Sequence, residues 1–402
     1  MDQEAVRYDI CVVGGCGHVG LPLAICFAKE GKRVVILDIN EDAMAMVSRG
    51  EMPFMEEGAG ELLKEAVASG NLTVSAAPEV ISESAAVVLI MGTPVDAHLN
   101  PAFSVIIKAV QKYISYFRDG QLIVLRSTVY PGTSKRIDKL LRDAGLSVDV
   151  VFCPERIVEG HAVREIYELP QIVSAFSRRG LNKAKDLFAV FRNDAVELNP
   201  TEAELAKLFT NVWRYMKFAI ANQFYSIAND HGLDFYEILR AITHNYPRAA
   251  DIPKAGFAAG PCLFKDTMQL AAYSNNSFFL GHSAMLINEG FPAYVISRLK
   301  RRYPLQTMTV GILGIAFKAD SDDKRESLAY KLRRMLEIEC REVLVTDPYV
   351  KDERILPVEE VVARSDMLIV GAPHSVYKGL EVENKTVIDI WNFFGKGALI
   401  GQ

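Results

Sequence analysis

Three stretches of this sequence hold residue types at spacings that can do chemistry. The first, Gly15-Cys16-Gly17-His18-Val19-Gly20, fits G-x-G-x-x-G. Glycines at these positions let a backbone turn tightly and approach a pyrophosphate, which rests on the N-terminus of the next helix. Asp38 closes the following apolar run. It can accept bonds from a ribose 2′-hydroxyl and would repel a 2′-phosphate, so loop and acid together predict NAD rather than NADP. Cys16 reads as a small filler residue, and His18 as either a phosphate contact or a packed loop side chain.

The second stretch is Gly260-Pro261-Cys262-Leu263-Phe264-Lys265-Asp266, preceded by Phe257 and two alanines. Small residues leave room beside a thiol, and a cation and a carboxylate follow within about one helical turn. Lys265 can favour the thiolate, the nucleophilic form; the alternative is a cysteine that is simply buried. The third stretch is EAELAKLFTN, residues 202–211, where Lys207 and Asn211 stand at i and i+4 and so project from one helix face. The apolar neighbours Ala206, Leu208 and Phe209 argue against a fully solvated lysine.

The elements that must position these groups are legible around them. YDICVV (residues 8–13), the glycine loop, a helical pattern over 21–30 and KRVVILD (32–38) form a strand–loop–helix–strand unit that opens a parallel sheet. Uninterrupted apolar runs at 85–91, 122–126 and 148–152 suit strands covered on both faces. From Asn199 the pattern becomes one long helix, with Thr201 and Glu204 expected as its capping box and His231-Gly232 as its stop. After Pro304 strand patterns return, and VVILD and LIMGTP of the first half parallel VLVTD and LIVGAP of the second. The expected fold is α/β, with two doubly wound Rossmann-like domains joined by a long central helix and helical region, divided at 1–198, 199–303 and 304–402. The second domain has only Gly311 and Gly314, so it is expected to bind something other than a dinucleotide.

Composition limits the rest. The chain has 402 residues, half of them hydrophobic, and a net charge of −5. This is ordinary globular composition with no electrostatic drive towards nucleic acid or anionic membrane. Residues 10–28 carry no charged side chain over a span as long as a membrane helix, but the glycines, proline and histidine within it read as strand, loop and buried helix. Six sparse cysteines and an acidic N-terminus point to reduced thiols, a soluble protein and the cytoplasm. No metal site is expected. A long helix with apolar surface predicts a homodimer.

At these residues the sequence resembles the UDP-glucose/GDP-mannose dehydrogenase family. The likeness runs nearly end to end, through GCGHVG, GTPVD (92–96), STVYPGT (127–133), CPERIVEG (153–160), EAELAKLFTN, GPCLFKD (260–266) and GIAFKADSDDKRES (314–327) in that order. The resemblance implies NAD-dependent oxidation of C6 of a UDP-sugar from alcohol to carboxylate, through a thiohemiacetal and a thioester on Cys262. It implies that Lys207 and Asn211 act at the C6 oxygen, and that Asp266, Glu155 and Thr128 hold or activate the hydrolytic water. It places Gly92, Thr93, Pro94, Ser127, Thr128, Glu159 and Arg325 with the glycine loop and Asp38 around NAD. The substrate set it implies is Glu155, Arg156, Ile157, Lys207, Asn211, Arg248, Phe257, Gly260, Lys265 and Lys318. Salt bridging to a neighbouring acid is an equal reading of Arg325.

The sequence departs from the family pattern in places. UDP-glucose dehydrogenases usually carry N-P-E-F-L where this chain has Cys153-Pro154-Glu155-Arg156-Ile157. The P-E-R form resembles the branch acting on UDP-N-acetylhexosamines, so UDP-GlcNAc or UDP-ManNAc is the expected substrate and UDP-glucose the alternative. Arg156 can serve an acetamido group, a phosphate or a structural ion pair. Many relatives have D-x-R where this chain reads Asp389-Ile390-Trp391. Two other classes stay open: a two-electron hydroxyacid dehydrogenase, which needs neither Cys262 nor a second α/β domain, and a non-catalytic nucleotide-sugar sensor.

Overall fold

The structure is a computed structural model and describes residues 6–93, 104–257, 260–382, 384–395 and 400. It divides into two compact units, Met1–Phe209 and Thr210–Gln402.

The first unit is built on an eight-stranded sheet of order β3-β2-β1-β4-β5-β6-β7-β8. The strands are β1 Tyr8–Val13, β2 Val34–Leu37, β3 Leu72–Ser75, β4 Ser84–Leu89, β5 Leu122–Leu125, β6 Asp149–Phe152, β7 Gln171–Ala175 and β8 Ala195–Leu198. All neighbours pair parallel except β6 and β7. The apolar runs are double-sided. Ile10, Val12, Ile36 and Val88 enter one core, and Cys11, Val13, Val35 and Val87 enter the other. Each such side chain, fully buried, contributes about 1.5–3 kcal/mol. The helix after the glycine loop, Gly20–Lys29, is buried along nearly its whole length, as expected of a crossover packed on a parallel sheet. The carboxyl ends of β1 and β4, between which the strand order reverses, form the switch point where such sheets bind ligands.

The second unit carries a four-stranded parallel sheet of order β10-β9-β11-β12. Its strands are β9 Thr309–Leu313, β10 Glu342–Thr346, β11 Met367–Val370 and β12 Thr386–Ile388. Val310, Ile312, Val345 and Ile369 share one core with Ala221 and Tyr225 of the long helix and with Phe291 and Leu299. The last two lie on a helix of 24 residues, Phe279–Arg302, here called the companion helix. A shorter helix, Leu263–Tyr273, begins directly after Cys262 and is here the nucleophile helix. The central helix spans Pro200–Asp230 and ends where the sequence predicts. Gly232 is left-handed, and Gly232 and Leu233 donate back to Asn229 and Ala228, a Schellman closure.

The start of that helix corrects the sequence reading. The reciprocal cap is Asn199 with Glu202: each backbone N–H donates to the other's side-chain oxygen at 2.9 Å. Thr201 and Glu204 do not form the box, because Glu204 is fully buried and bonded elsewhere. Among the described residues no helix is long and apolar enough to cross a membrane; residues 10–28 are β1, the glycine loop and most of the loop helix.

Candidate active site

The carboxyl edge of the first sheet gathers most of the residues assigned to a dinucleotide. Asp38, just past β2, accepts from the Cys16 N–H at 2.8 Å through one oxygen, and from Ile39 and Asn40 at 2.7 and 3.0 Å through the other. At the ends of β4 and β5, Met91 N–H donates to Ser127 Oγ and Thr93 Oγ1 to the Thr128 carbonyl, both at 2.7 Å. Gly92 lies between them and Pro94 falls outside the described residues. Val19, the N-cap of the loop helix, makes no side-chain cap bond; the Leu21 N–H turns back to the Gly17 carbonyl at 3.0 Å, and Pro22 has no N–H to satisfy. A Cβ added to Gly17 would meet no atom within 4 Å. An open backbone at a helix N-terminus with a carboxylate beside it fits the pyrophosphate and ribose of NAD. Of the two readings of His18, the structure favours packing: its ring stacks on Phe54 at 4.0 Å between centroids. Cys16 is buried, and burial together with Asp38 pushes its thiol up to about 12.

Cys262 has a different environment. It is the exposed cysteine, while Cys11, Cys16, Cys26 and Cys153 are buried and Cys340 is partly buried. Burial pushes the thiols of Cys11, Cys26 and Cys153 up to about 12 and that of Cys340 up to about 11. Cys262 occupies the N-cap of the nucleophile helix, where the helix dipole favours an anion. One turn on, Asp266 is fully buried; it accepts from Lys265 Nζ at 2.6 Å and from Asn211 Nδ2 at 2.5 Å. The sequence reading has Lys265 assisting the thiolate, and in the structure its ammonium is on the Asp266 carboxylate. Asn211 ties the central helix to the nucleophile helix, and Lys207 stands one turn before it, half-buried.

Two other carboxylates of the first unit accept hydrogen bonds from neighbouring elements. Glu155 accepts from Arg126 through Oε2, and from the N–H groups of Arg156 and Ile157 at 2.7 and 3.2 Å through Oε1. Arg126 is 1% exposed; it also donates to the Cys153 carbonyl and Gln171 Oε1 and lies over the Phe188 ring. The sequence reading missed Arg126, since nothing in LIVLR distinguishes a buried guanidinium from a solvated strand end. Glu204 reaches from the central helix to the N-terminus of the helix Thr133–Asp143, accepting from Gly132 N–H, Ser134 N–H and Ser134 Oγ at 2.6–2.8 Å. Burial pushes its carboxyl up, against those three bonds. Lys207 follows one turn later, so this contact anchors the start of the helix that carries it.

The remaining residues divide. Arg156 donates to the Pro170 carbonyl, which is neither of the ligand contacts read from its sequence. Ile157 packs against the core, and Glu159 is half-buried. The Phe257 ring is core, 2% exposed and tilted against Phe291, which corrects its assignment to substrate as far as the side chain is concerned. Arg248 is exposed and lies over the Tyr246 ring. In the loop after β9, Lys318 lies over Phe317, and Arg325 pairs with Asp323 through Nε at 2.9 Å and Nη2 at 2.6 Å. The ion-pair reading of Arg325 is therefore the one with a described contact. Trp391 Nε1 donates to the Val370 carbonyl at 3.2 Å.

Comparison with known proteins gives the family and the fold. Descriptions of the UDP-glucose/GDP-mannose dehydrogenase family match residues 8–192 as its NAD binding domain, 201–289 as its central domain and 311–396 as its UDP binding domain. A UDP-N-acetyl-D-mannosamine dehydrogenase of Methanococcus aeolicus is 29% identical over 95% of this chain and 91% of its own. The solved structure of a UDP-D-ManNAc dehydrogenase from Pyrococcus horikoshii has a TM-score of 0.88 at 28% identity, covering 96% of this chain and 95% of that one. A UDP-glucose dehydrogenase from Pyrobaculum islandicum has a TM-score of 0.87 at 25% identity, covering 97% and 95%.

Proposed function

Because the chain belongs to the UDP-glucose/GDP-mannose dehydrogenase family, we propose that it oxidises C6 of a UDP-N-acetylhexosamine, UDP-ManNAc or UDP-GlcNAc, to the uronate. The observation that carries this reading is the exposed Cys262 at a helix N-cap, one turn before the buried Asp266 that Asn211 holds. NAD+ supplies the hydride acceptor, at the glycine loop and Asp38. Overall, R–CH2OH, two NAD+ and water give R–COO−, two NADH and three protons. Lys207 and Asn211 stabilise the C6 oxygen as charge develops on it. The Cys262 sulfur adds to the C6 aldehyde, giving a carbinol that can lose a second hydride. The resulting thioester is cleaved by water, which returns the thiol. Asp266, Glu155 and Thr128 are candidates for holding that water; Asp266 is nearest in sequence to the sulfur and is neutralised in part by Lys265.

The substrate preference rests on Arg156 in the P-E-R motif and on the names of the archaeal relatives. The UDP-glucose reading has support of its own in the Pyrobaculum structure. A panel of UDP-Glc, UDP-GlcNAc, UDP-GalNAc, UDP-ManNAc and GDP-Man, read by NADH absorbance, tests the choice. Turnover confined to UDP-Glc would refute the acetylhexosamine reading, and one NADH per sugar would point instead to a two-electron enzyme. A Cys262→Ser protein with undiminished turnover would rule out the covalent route.

We assign residues 1–198 to NAD, 199–303 to the catalytic helices and 304–402 to the UDP-sugar. The homodimer is supported by Trp213, Ile220, Phe224 and Ile227, which expose 41–54% of their surface at helical spacing along the central helix. A monomer by sedimentation at micromolar concentration would refute it. Cytoplasmic residence is supported by six cysteines without a disulfide among the described residues.

A further inference from the structure

Below Asn211, the same face of the central helix carries a second buried amide. Asn222 follows three turns later and is fully buried, as is Asn288 of the companion helix. The hydrogen bonds leave no choice of amide orientation. Gly256 N–H is a donor, so Asn222 must turn its oxygen to it, at 2.9 Å. The Asn222 amino group then faces the oxygen of Asn288 at 3.0 Å, and the Asn288 amino group donates to the Tyr215 carbonyl at 3.1 Å. Both oxygens accept and both amino groups donate, and buried amides with partners of this kind specify one backbone arrangement instead of destabilising the core.

What this chain holds is the entry to the nucleophile segment. Gly256 is fixed on one side by Asn222, and on the other the Trp391 ring occupies the space a Cβ would need. Gly260 has φ of +112°, and a Cβ there would come within 2.7 Å of the Phe317 ring. Two residues later stands Cys262, and four beyond it Asp266 is bonded to Asn211. One helix face thus holds Gly256 before Cys262 and Asp266 after it.

We propose that Asn222 is a positioning residue for Cys262: braced by Asn288, it holds the Gly256 backbone and so sets where the sulfur enters the site. This rests on the reading of Cys262 as nucleophile. Its consequence is selective. The first oxidation, alcohol to aldehyde, needs no thiol, whereas the second requires the sulfur to be within bonding distance of C6.

The test is rapid-mixing measurement of the two NADH-forming steps in Asn222→Ala, with UDP-ManNAc, or with UDP-Glc should the panel single it out. The expected result is a second step slowed at least about tenfold, a first step within about twofold of the parent, and an unchanged KM for NAD+. A role in packing alone would slow both steps together, and that result, or an unchanged second step, overturns the proposal. Should Asn222→Ala fail to fold, Asn288→Ala carries the same criterion, because it leaves Asn222 in place but unbraced. The parent reading fails separately: if Cys262→Ser still yields two NADH per sugar, the thiol is not the nucleophile. If Cys262→Ser halts after one NADH while Asn222→Ala leaves the second step intact, only the positioning role is lost.

Discussion

Asp38 stands just past β2 and Asp347 just past β10, and the two carboxylates make nearly the same backbone bonds. One oxygen of Asp38 takes Cys16 N–H of the loop after β1; one oxygen of Asp347 takes Ile315 and Ala316 N–H of the loop after β9, at 2.7 and 3.0 Å. The other oxygen of each caps the two or three residues that follow it in the chain. Gly14 and Gly314 correspond as well. Each is left-handed, and in each a Cβ would run into a carbonyl at the end of the neighbouring strand, that of Ile90 or of Ala372. The difference lies above the carboxylates. Asp38 is half-buried, whereas Asp347 is 6% exposed and covered by the fully buried His374, whose Nε2 donates to it at 3.0 Å and whose Nδ1 accepts from Asp320 N–H. The helix after β1 begins at Gly20, but the helix after β9 waits until Leu328, and the intervening loop carries Lys318 and Arg325. An acid at the end of the second strand therefore braces the loop in both copies. Only where its outer side stays open can it also bind a ribose.

The sharpest way to break this comparison is through the glycines. Gly17 has no counterpart in the second copy; its φ is not positive and an added Cβ touches nothing. Gly17→Ala should leave the melting temperature unchanged while weakening NAD binding about 100-fold, or about 2.7 kcal/mol, measured by titration of intrinsic fluorescence. Gly314→Ala should do the reverse, destabilising its unit by about 1–3 kcal/mol with the NAD affinity of the folded protein intact. If Gly17→Ala bound NAD normally, the open backbone would not be the pyrophosphate seat.

Asp347 is the next test. Burial pushes its carboxyl up, but the His374 bond and the N–H groups of Tyr349 and Val350 outweigh this and hold it below its ordinary value of 3.8. A carboxyl depressed in the folded state adds stability that is fully present above the unfolded value and is lost as the pH falls through the folded one. Asp347→Asn should thus lower stability by about 3 kcal/mol at pH 7. It should also flatten the loss of stability that the parent shows on acidification below about pH 4, as followed by urea unfolding at pH 5 and pH 3. A parent and variant with parallel pH dependence would remove Asp347 as the brace of the loop after β9.

The sequence carried β1, the glycine loop, β2, the long helix and the second sheet, because hydrophobic period and glycine placement are local signals. It carried less of β3, β7 and β8, whose four or five residues, LTVS, QIVSA and AVEL, mix polar with apolar. The capping box shows where local signals run out. Asn199-x-x-Glu202 and Thr201-x-x-Glu204 overlap, and the choice was made by tertiary contact, since Gly132 and Ser134 take Glu204. Within the candidate site, Cys262 stood out by residue type and spacing, and Lys207 and Asn211 through the family resemblance. The Asn211–Asp266 bond joins residues 55 apart in the chain, and neither that bond nor the burial of Arg126 and Phe257 leaves a local trace. These depend on which helix lies against which strand.

The smallest effect expected is also the one that most directly separates the two acids. Asp38→Asn keeps a carbonyl oxygen for the Cys16 N–H but removes the charge that would repel a 2′-phosphate. Its new amino group must then face the N–H groups of Ile39 and Asn40, so it should fold with a modest loss of stability, bind NAD more weakly, and lower the preference for NAD+ over NADP+ in kcat/KM by about tenfold, or about 1.4 kcal/mol. Asp347→Asn, assayed at a temperature where it remains folded, should leave that preference as it is, since its carboxylate is sealed beneath His374. Equal effects from the two substitutions would mean that Asp38 acts on the cofactor only by bracing its loop. The charge on its outer face would then play no part in selecting the ribose.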